Sequence, residues 1–190
     1  MTAGTARRPR SDAVRNRSRV SDAAVEVFAE QGLGATVGDI AARAQVGNAT
    51  VFRNFPTKVD LLVEVAVRWL EDWRAAVEET LASDPTGSTL RGLVSELFER
   101  LRRNRLALDL FRAENLDARV DDARRPVEAL LTEALHRAIR DGLVAADVTY
   151  ADLTLLVLGT AGRLSDTGDT DPTRWRRLAD FTWAALAADR

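Results

Sequence analysis

Apolar residues recur every three or four positions almost from end to end of this chain, and no useful stretch alternates with a period of two. The pattern therefore predicts an all-α protein. Val20, Ala24, Val27 and Phe28 stripe a first helix over about 12–31, which Gly32 ends. A long helix over about 57–82 carries Leu62, Val65, Trp69, Trp73, Val77 and Leu81 on one face, with Thr57 as N-cap and Asp60 three residues on. The turn cluster Ser83 to Gly87 leads to a helix over about 88–103, and Asn104 breaks the chain again. Further helices are expected over about 105–118 and 125–141, the second striped by Val127, Leu131, Ala134, Leu135 and Ala138 and stopped by Gly142. Thr149 and Asp152 open a helix to about 164 that is apolar on nearly every side, and Asp171 followed by Pro172 opens a last one. With two short helices between 36 and 55, the count is about nine.

Those two short helices carry the most chemistry. Thr36 caps the first, with Asp39 in the capping-box position, and Ile40 and Ala44 face one side. Gln45, Val46 and Gly47 form the turn, where glycine is expected to supply an unusual φ and close crossing. On the second helix Val51 and Phe55, with Val46 before it, read as anchors, leaving Asn48, Thr50, Arg53 and Asn54 to meet a partner. That is a helix-turn-helix, and such a second helix fits the DNA major groove. Asn48, Thr50 and Arg53 are the candidates for base edges. Thr36, Asn54 and Lys58, the chain's one lysine, are candidates for phosphates, and Val37, Gly47, Ala49 and Phe52 complete the surface.

Charge sharpens this picture. The formal net charge is −2, yet residues 1–60 hold nine Lys/Arg against six Asp/Glu, which leaves +3 on the head and −5 on the rest. A basic head on an acidic body suits a protein whose head alone meets phosphates. Residues 1–10 lack apolar anchors and read as a solvated arm that DNA would order. The absence of cysteine excludes thiol chemistry and Cys-based metal sites. The single histidine, His136, lies opposite the apolar stripe of its helix, and no glycine-rich phosphate loop occurs, so no enzyme, metal or cofactor is expected. With no apolar leader segment and no run approaching 18 apolar residues, cytoplasmic location and no membrane partner are expected.

The last two helices are more apolar than one chain ordinarily hides. They are expected to pair with their copies as a two-fold four-helix bundle through Leu155, Leu158, Gly159, Gly162, Trp175, Leu178, Phe181 and Thr182. Plain internal core is the other reading of the same stripes.

Residues 15–62 resemble the DNA-binding domain of TetR-family transcriptional regulators. The likeness rests on the end of the first helix at 27–32, on Ile40 to Ala44, and on Phe52 to Lys58. Three positions depart from the family's habit: Gly47 where Ser or Thr is frequent, Phe52 where Tyr is usual, and Asn54 where His or Tyr is common. Phe52 has no hydroxyl to offer a phosphate. The resemblance implies a three-helix DNA-binding domain over residues 1–56 and a helical effector-binding and dimerisation domain over 57–190. It also implies pairing through the last two long helices and a repressor released from an inverted-repeat operator by a small molecule. The implied effector pocket lies among the middle helices, with Trp69, Trp73, Phe98, Phe111, Glu114 and Asn115 as candidate lining for an apolar or amphipathic ligand. Aromatic residues at helical spacing equally describe plain core. The alternative function is a helical dimeric DNA-binding or interaction module without ligand control.

Overall fold

The computed structural model of the protein describes residues 9–113 and 116–188. Among them run nine α-helices: α1 (Pro9–Gln31), α2 (Val37–Ala44), α3 (Asn48–Asn54), α4 (Lys58–Ser83), α5 (Thr89–Arg103), α6 (Arg105–Arg112), α7 (Ala118–Arg140), α8 (Tyr150–Asp166) and α9 (Pro172–Leu186). A 3-10 turn, Gly32–Gly34, joins α1 to α2. None of these helices is long and apolar enough to cross a membrane.

Local chemistry sets the helix starts. Thr36, Thr57 and Thr149 each accept from the backbone N–H three residues on, while Asp39, Asp60 and Asp152 reach back to the capping threonine's own N–H. Each box satisfies two amides that a helix start leaves without partners. Asp171 caps α9, with Pro172 in the first turn.

Two boundaries differ from the sequence pattern. The sixth helix ends at Arg112, not near 118, and the seventh begins at Ala118, not near 125, with Pro126 inside it. The exposed Pro126 lacks an N–H to bond the helix behind it. Two features extend α7 N-terminal to it: Asp117 caps the helix by accepting from Arg119 N at 2.9 Å, and Val120 is fully buried. Tertiary burial here overrides the local helix-breaking signal.

The apolar residues form two clusters. One gathers α1, α2 and α3 around the first half of α4 from Leu61 to Leu70, and takes in Leu106, Leu110 and Val120. The other gathers α5, α7, α8 and α9 around Trp73, Val77 and Leu81 of the same α4. The short α6 serves both, giving Leu106 and Leu110 to the first and Ala107 and Leu108 to the second.

The loop before α5 presses on the end of α7 at Gly87. A Cβ there would lie 2.5 Å from Ala138 Cα and 2.7 Å from its nitrogen, and the Gly87 N–H donates to Asp141 Oδ2 at 2.7 Å. Gly87→Ala is expected to cost roughly 1–3 kcal/mol through backbone overpacking. Thermal denaturation followed by circular dichroism should then show a melting point lower by about 2–4 °C per kcal/mol. An unchanged melting point would mean that the loop backs away freely.

Candidate nucleic-acid interface

At the start of α2, Asp39 N donates to Thr36 Oγ1 at 3.1 Å and Thr36 N donates to Asp39 Oδ2 at 3.0 Å. The hydrogen bonds from Thr36 hold the Asp39 carboxyl below its ordinary pKa. The Thr36 hydroxyl is thus engaged within the fold, and the helix start leaves the first-turn amides of Val37 and Gly38 without an intrahelical partner.

The turn is built differently from the expectation. The left-handed residue is Gln45, with φ 54°, whereas Gly47 is extended at φ −78° with open space around it. Gly47 therefore supplies no special conformation. It sits at the N-cap of α3 and leaves that helix without a side-chain cap.

Val51 and Phe55 are buried and hold α3 down, with Val46 half-buried beside them. Asn48, Ala49, Phe52 and Arg53 are exposed, and Thr50 and Asn54 are half-buried. The candidate base-reading and phosphate-holding groups of α3 thus fall on its open side. Arg53 lies back along its own helix, its Nε donating to Ala49 O at 3.2 Å and its Nη2 to Thr50 Oγ1 at 2.9 Å. Asn54 donates its Nδ2 to Thr50 O at 2.8 Å. Lys58 donates its Nζ to Leu33 O at 2.7 Å, which leaves two of its three N–H donors for another acceptor.

Other arginines of the head brace the fold. Arg17 donates to Asn54 O at 2.7 Å, pairs with Glu64 and stands 4.2 Å over the Phe55 ring, tying α1 to α3 and α4. Arg19 donates to Ala44 O at 2.7 Å, which satisfies a carbonyl at the end of α2. Arg43 pairs with Glu26 and Glu30 of α1. Charge counting gives Arg17 and Arg19 to phosphates, and no local pattern in the sequence marks them as tethers, whereas Arg43 reads from the sequence as a surface or ion-pair residue and is one.

In the helical body, Trp73 and Phe98 are wholly enclosed, and Arg100 lies 4.8 Å over the Trp73 ring. Phe98 meets Trp175 edge-on at 6.4 Å. Trp69 is half-buried and meets Phe111 edge-on at 5.8 Å. An apolar cavity of about 30 Å³ opens between α5, α6, α7 and α8, lined among others by Leu93, Val94, Phe111, Leu131, Tyr150 and Val157. Of the expected lining that is described, only Phe111 borders it, because the tryptophans of α4 are taken up by core packing. Glu114 and Asn115 lie outside the described residues, as do residues 1–8 of the arm. A wider open groove under the head, about 980 Å³, contains Arg17, Arg68, Arg74 and Arg119. Each of these is paired with a carboxylate: Glu64, Asp22, Glu78, and Asp117 with Asp60.

The last two helices divide their apolar residues. Trp175, Thr182 and Gly162 are buried within the chain itself: the Trp175 Nε1 donates to Asp169 O at 2.7 Å, and a Cβ at Gly162 would collide with the Arg112 guanidinium. These three depart from the expected pairing surface because their own chain covers them. Leu155, Gly159 and Phe181 remain open, with Leu158 and Leu178 half-buried at their margin. His136 is exposed.

Comparison with known proteins bears directly on this geometry. Residues 20–65 match the family model described as "Bacterial regulatory proteins, tetR family". A 63-residue stretch is 44% identical to the HTH-type transcriptional regulator LuxR of Vibrio harveyi, and it covers 32% of this chain and 31% of that regulator's length. The fold of a TetR transcription regulatory protein from Mycobacterium vanbaalenii superposes with a TM-score of 0.61 at 29% identity, over 94% of this chain and 99% of the other. The FadR transcriptional regulator of Bacillus subtilis, solved with stearoyl-CoA, shares the fold with a TM-score of 0.64 at 19% identity, over 89% and 98% of the two chains.

Proposed function

We propose, for a chain that belongs to the TetR family of bacterial transcriptional regulators, that it works as a homodimeric repressor. Two copies of α3 hold an inverted-repeat operator and release it when a small apolar or amphipathic molecule enters the helical body. The observation that carries the reading is the division of α3 into a buried face, Val51 and Phe55, and an open face bearing Asn48, Thr50 and Arg53. Arg53 suits a bidentate bond to guanine, Asn48 a pair of bonds to adenine, and the Thr50 methyl a contact with thymine. Lys58 and the first-turn amides of α2 suit phosphates.

Release follows from how the head is joined to the body. The α4 helix lies in both apolar clusters, so a body that shifts around a ligand carries the head with it. Leu33 marks the junction: its N–H donates to Asp109 Oδ2 of α6 at 2.9 Å, and its carbonyl accepts from Lys58 of α4. A change in the angle between α6 and α4 pulls on this one residue and changes the spacing of the two α3 helices. A ligand that favours the altered spacing shifts the population away from the form that seats in two successive grooves.

The test is to expose the purified protein to random duplex DNA at near-physiological salt and sequence what it retains. Enrichment of an inverted repeat is expected. Retention without sequence preference would instead favour a module that binds through phosphates alone. On the enriched site, Arg53→Ala should cost roughly 1–3 kcal/mol and relax one base position, while Lys58→Ala should weaken all sequences alike and lower the salt slope by about one. Fluorescence anisotropy over a salt series reads both. An unchanged slope for Lys58→Ala would reduce that lysine to a latch on Leu33.

A further inference from the structure

The cavity between α5, α6, α7 and α8 has room for only one or two water-sized groups, so an effector seated there must widen it. Its described lining contains no charged side chain and two hydroxyl residues, Tyr150 and Thr154. Thr154 already donates, to Ala151 O at 2.9 Å. The Tyr150 hydroxyl makes no hydrogen bond to any described residue.

We propose that this cavity is the seed of the effector site, and that it selects an uncharged aliphatic molecule with one hydrogen-bonding head group that pairs with the Tyr150 hydroxyl. The inference rests on the ligand control proposed above and adds the chemical class of the ligand. A charged head would be desolvated among leucines and valines, and no charged side chain is among the described lining to meet it. Arg124, the cation nearest in effect to Tyr150, is engaged by Leu110 O at 3.0 Å and by Asp121. Glu128 sets a negative charge toward the phenol and opposes an anionic ligand. Burial, with Glu128 next, pushes the Tyr150 pKa up, so the phenol stays a neutral donor across the physiological range. Widening begins at the half-buried walls, Phe111 and Leu158. Phe111 stands on α6, two residues from Asp109 and its bond to Leu33.

Calorimetric titration of the full-length protein with 1-octanol, sodium octanoate and octylammonium chloride tests the assignment. Saturable binding of octanol is expected, with each charged analogue at least about tenfold weaker. Tyr150→Phe should weaken octanol by about tenfold at an unchanged melting point, as loss of one hydrogen bond implies. Leu93→Trp should abolish binding by filling the cavity, and the fold of that variant is checked by its circular dichroism. A charged analogue that matches octanol, or an undiminished Tyr150→Phe, would overturn the ligand class. Undiminished binding by folded Leu93→Trp would overturn the site. Anisotropy of the selected operator separates the two levels: octanol that binds as expected without loosening DNA leaves the pocket chemistry standing and removes ligand release.

Discussion

Replacing Phe181 with aspartate is expected to convert the proposed dimer to a monomer and to lower operator affinity by about 10²–10⁴-fold, the gain that linking two reading heads ordinarily confers. Phe181 is 53% exposed and Leu155 on the neighbouring helix is 73% exposed, a paired apolar display that the chain's own packing leaves open. Arg177 stands 5.1 Å over the Phe181 ring, covering one side of it with a cation. In a two-fold interface each such residue occurs twice, so the introduced carboxylates face an apolar surface or one another. Because the phenylalanine is open in the single chain, its loss should leave the chain folded. Sedimentation velocity reads the association state and anisotropy the affinity. A Phe181→Asp protein that stays dimeric would place the pairing surface elsewhere.

The second large effect is on stability. Trp73 is fully enclosed at the centre of the body, and Trp73→Ala is expected to cost roughly 3–5 kcal/mol. For a chain of this length that corresponds to a melting point lower by about 10 °C at fixed protein concentration. Its indole N–H is buried without a hydrogen-bond partner among the described residues. Trp73→Phe removes that donor while keeping most of the ring, so its cost should be a small fraction of that of alanine. A small loss for Trp73→Ala would instead mean that the ring borders space a ligand can use.

That distinction shows where the sequence was legible. Thr36, Thr57 and Thr149, each with aspartate three residues later, announce their helices because a capping box is a local device. The stripe of α4 is equally plain. The end of α6 and the start of α7 were not legible: the Asp117 cap is local, but Pro126 nine residues on reads as a helix breaker, and the burial of Val120 that holds this stretch down exists only in the folded chain. The open face of α3 could be read from its anchors, Val51 and Phe55. The bracing roles of Arg17 and Arg19 could not, since their acceptors lie 37 and 25 residues away along the chain. For the same reason tryptophan spacing alone could not separate core from cavity wall, and the division of α9 into the buried Trp175 and the open Phe181 depends on α5, against which Trp175 packs through Phe98.

The sharing of α6 between the two apolar clusters limits how this architecture can be rearranged. Leu106 and Leu110 complete the core of the reading head from within the body, as Val120 does from α7. A head cut at residue 56 and grafted onto a foreign body would arrive without the residues that close its own interior. The unit that can be exchanged is therefore scattered along the sequence, and a new body must supply matching side chains on three separate helices, in the places of α4, α6 and α7, before it can carry this head.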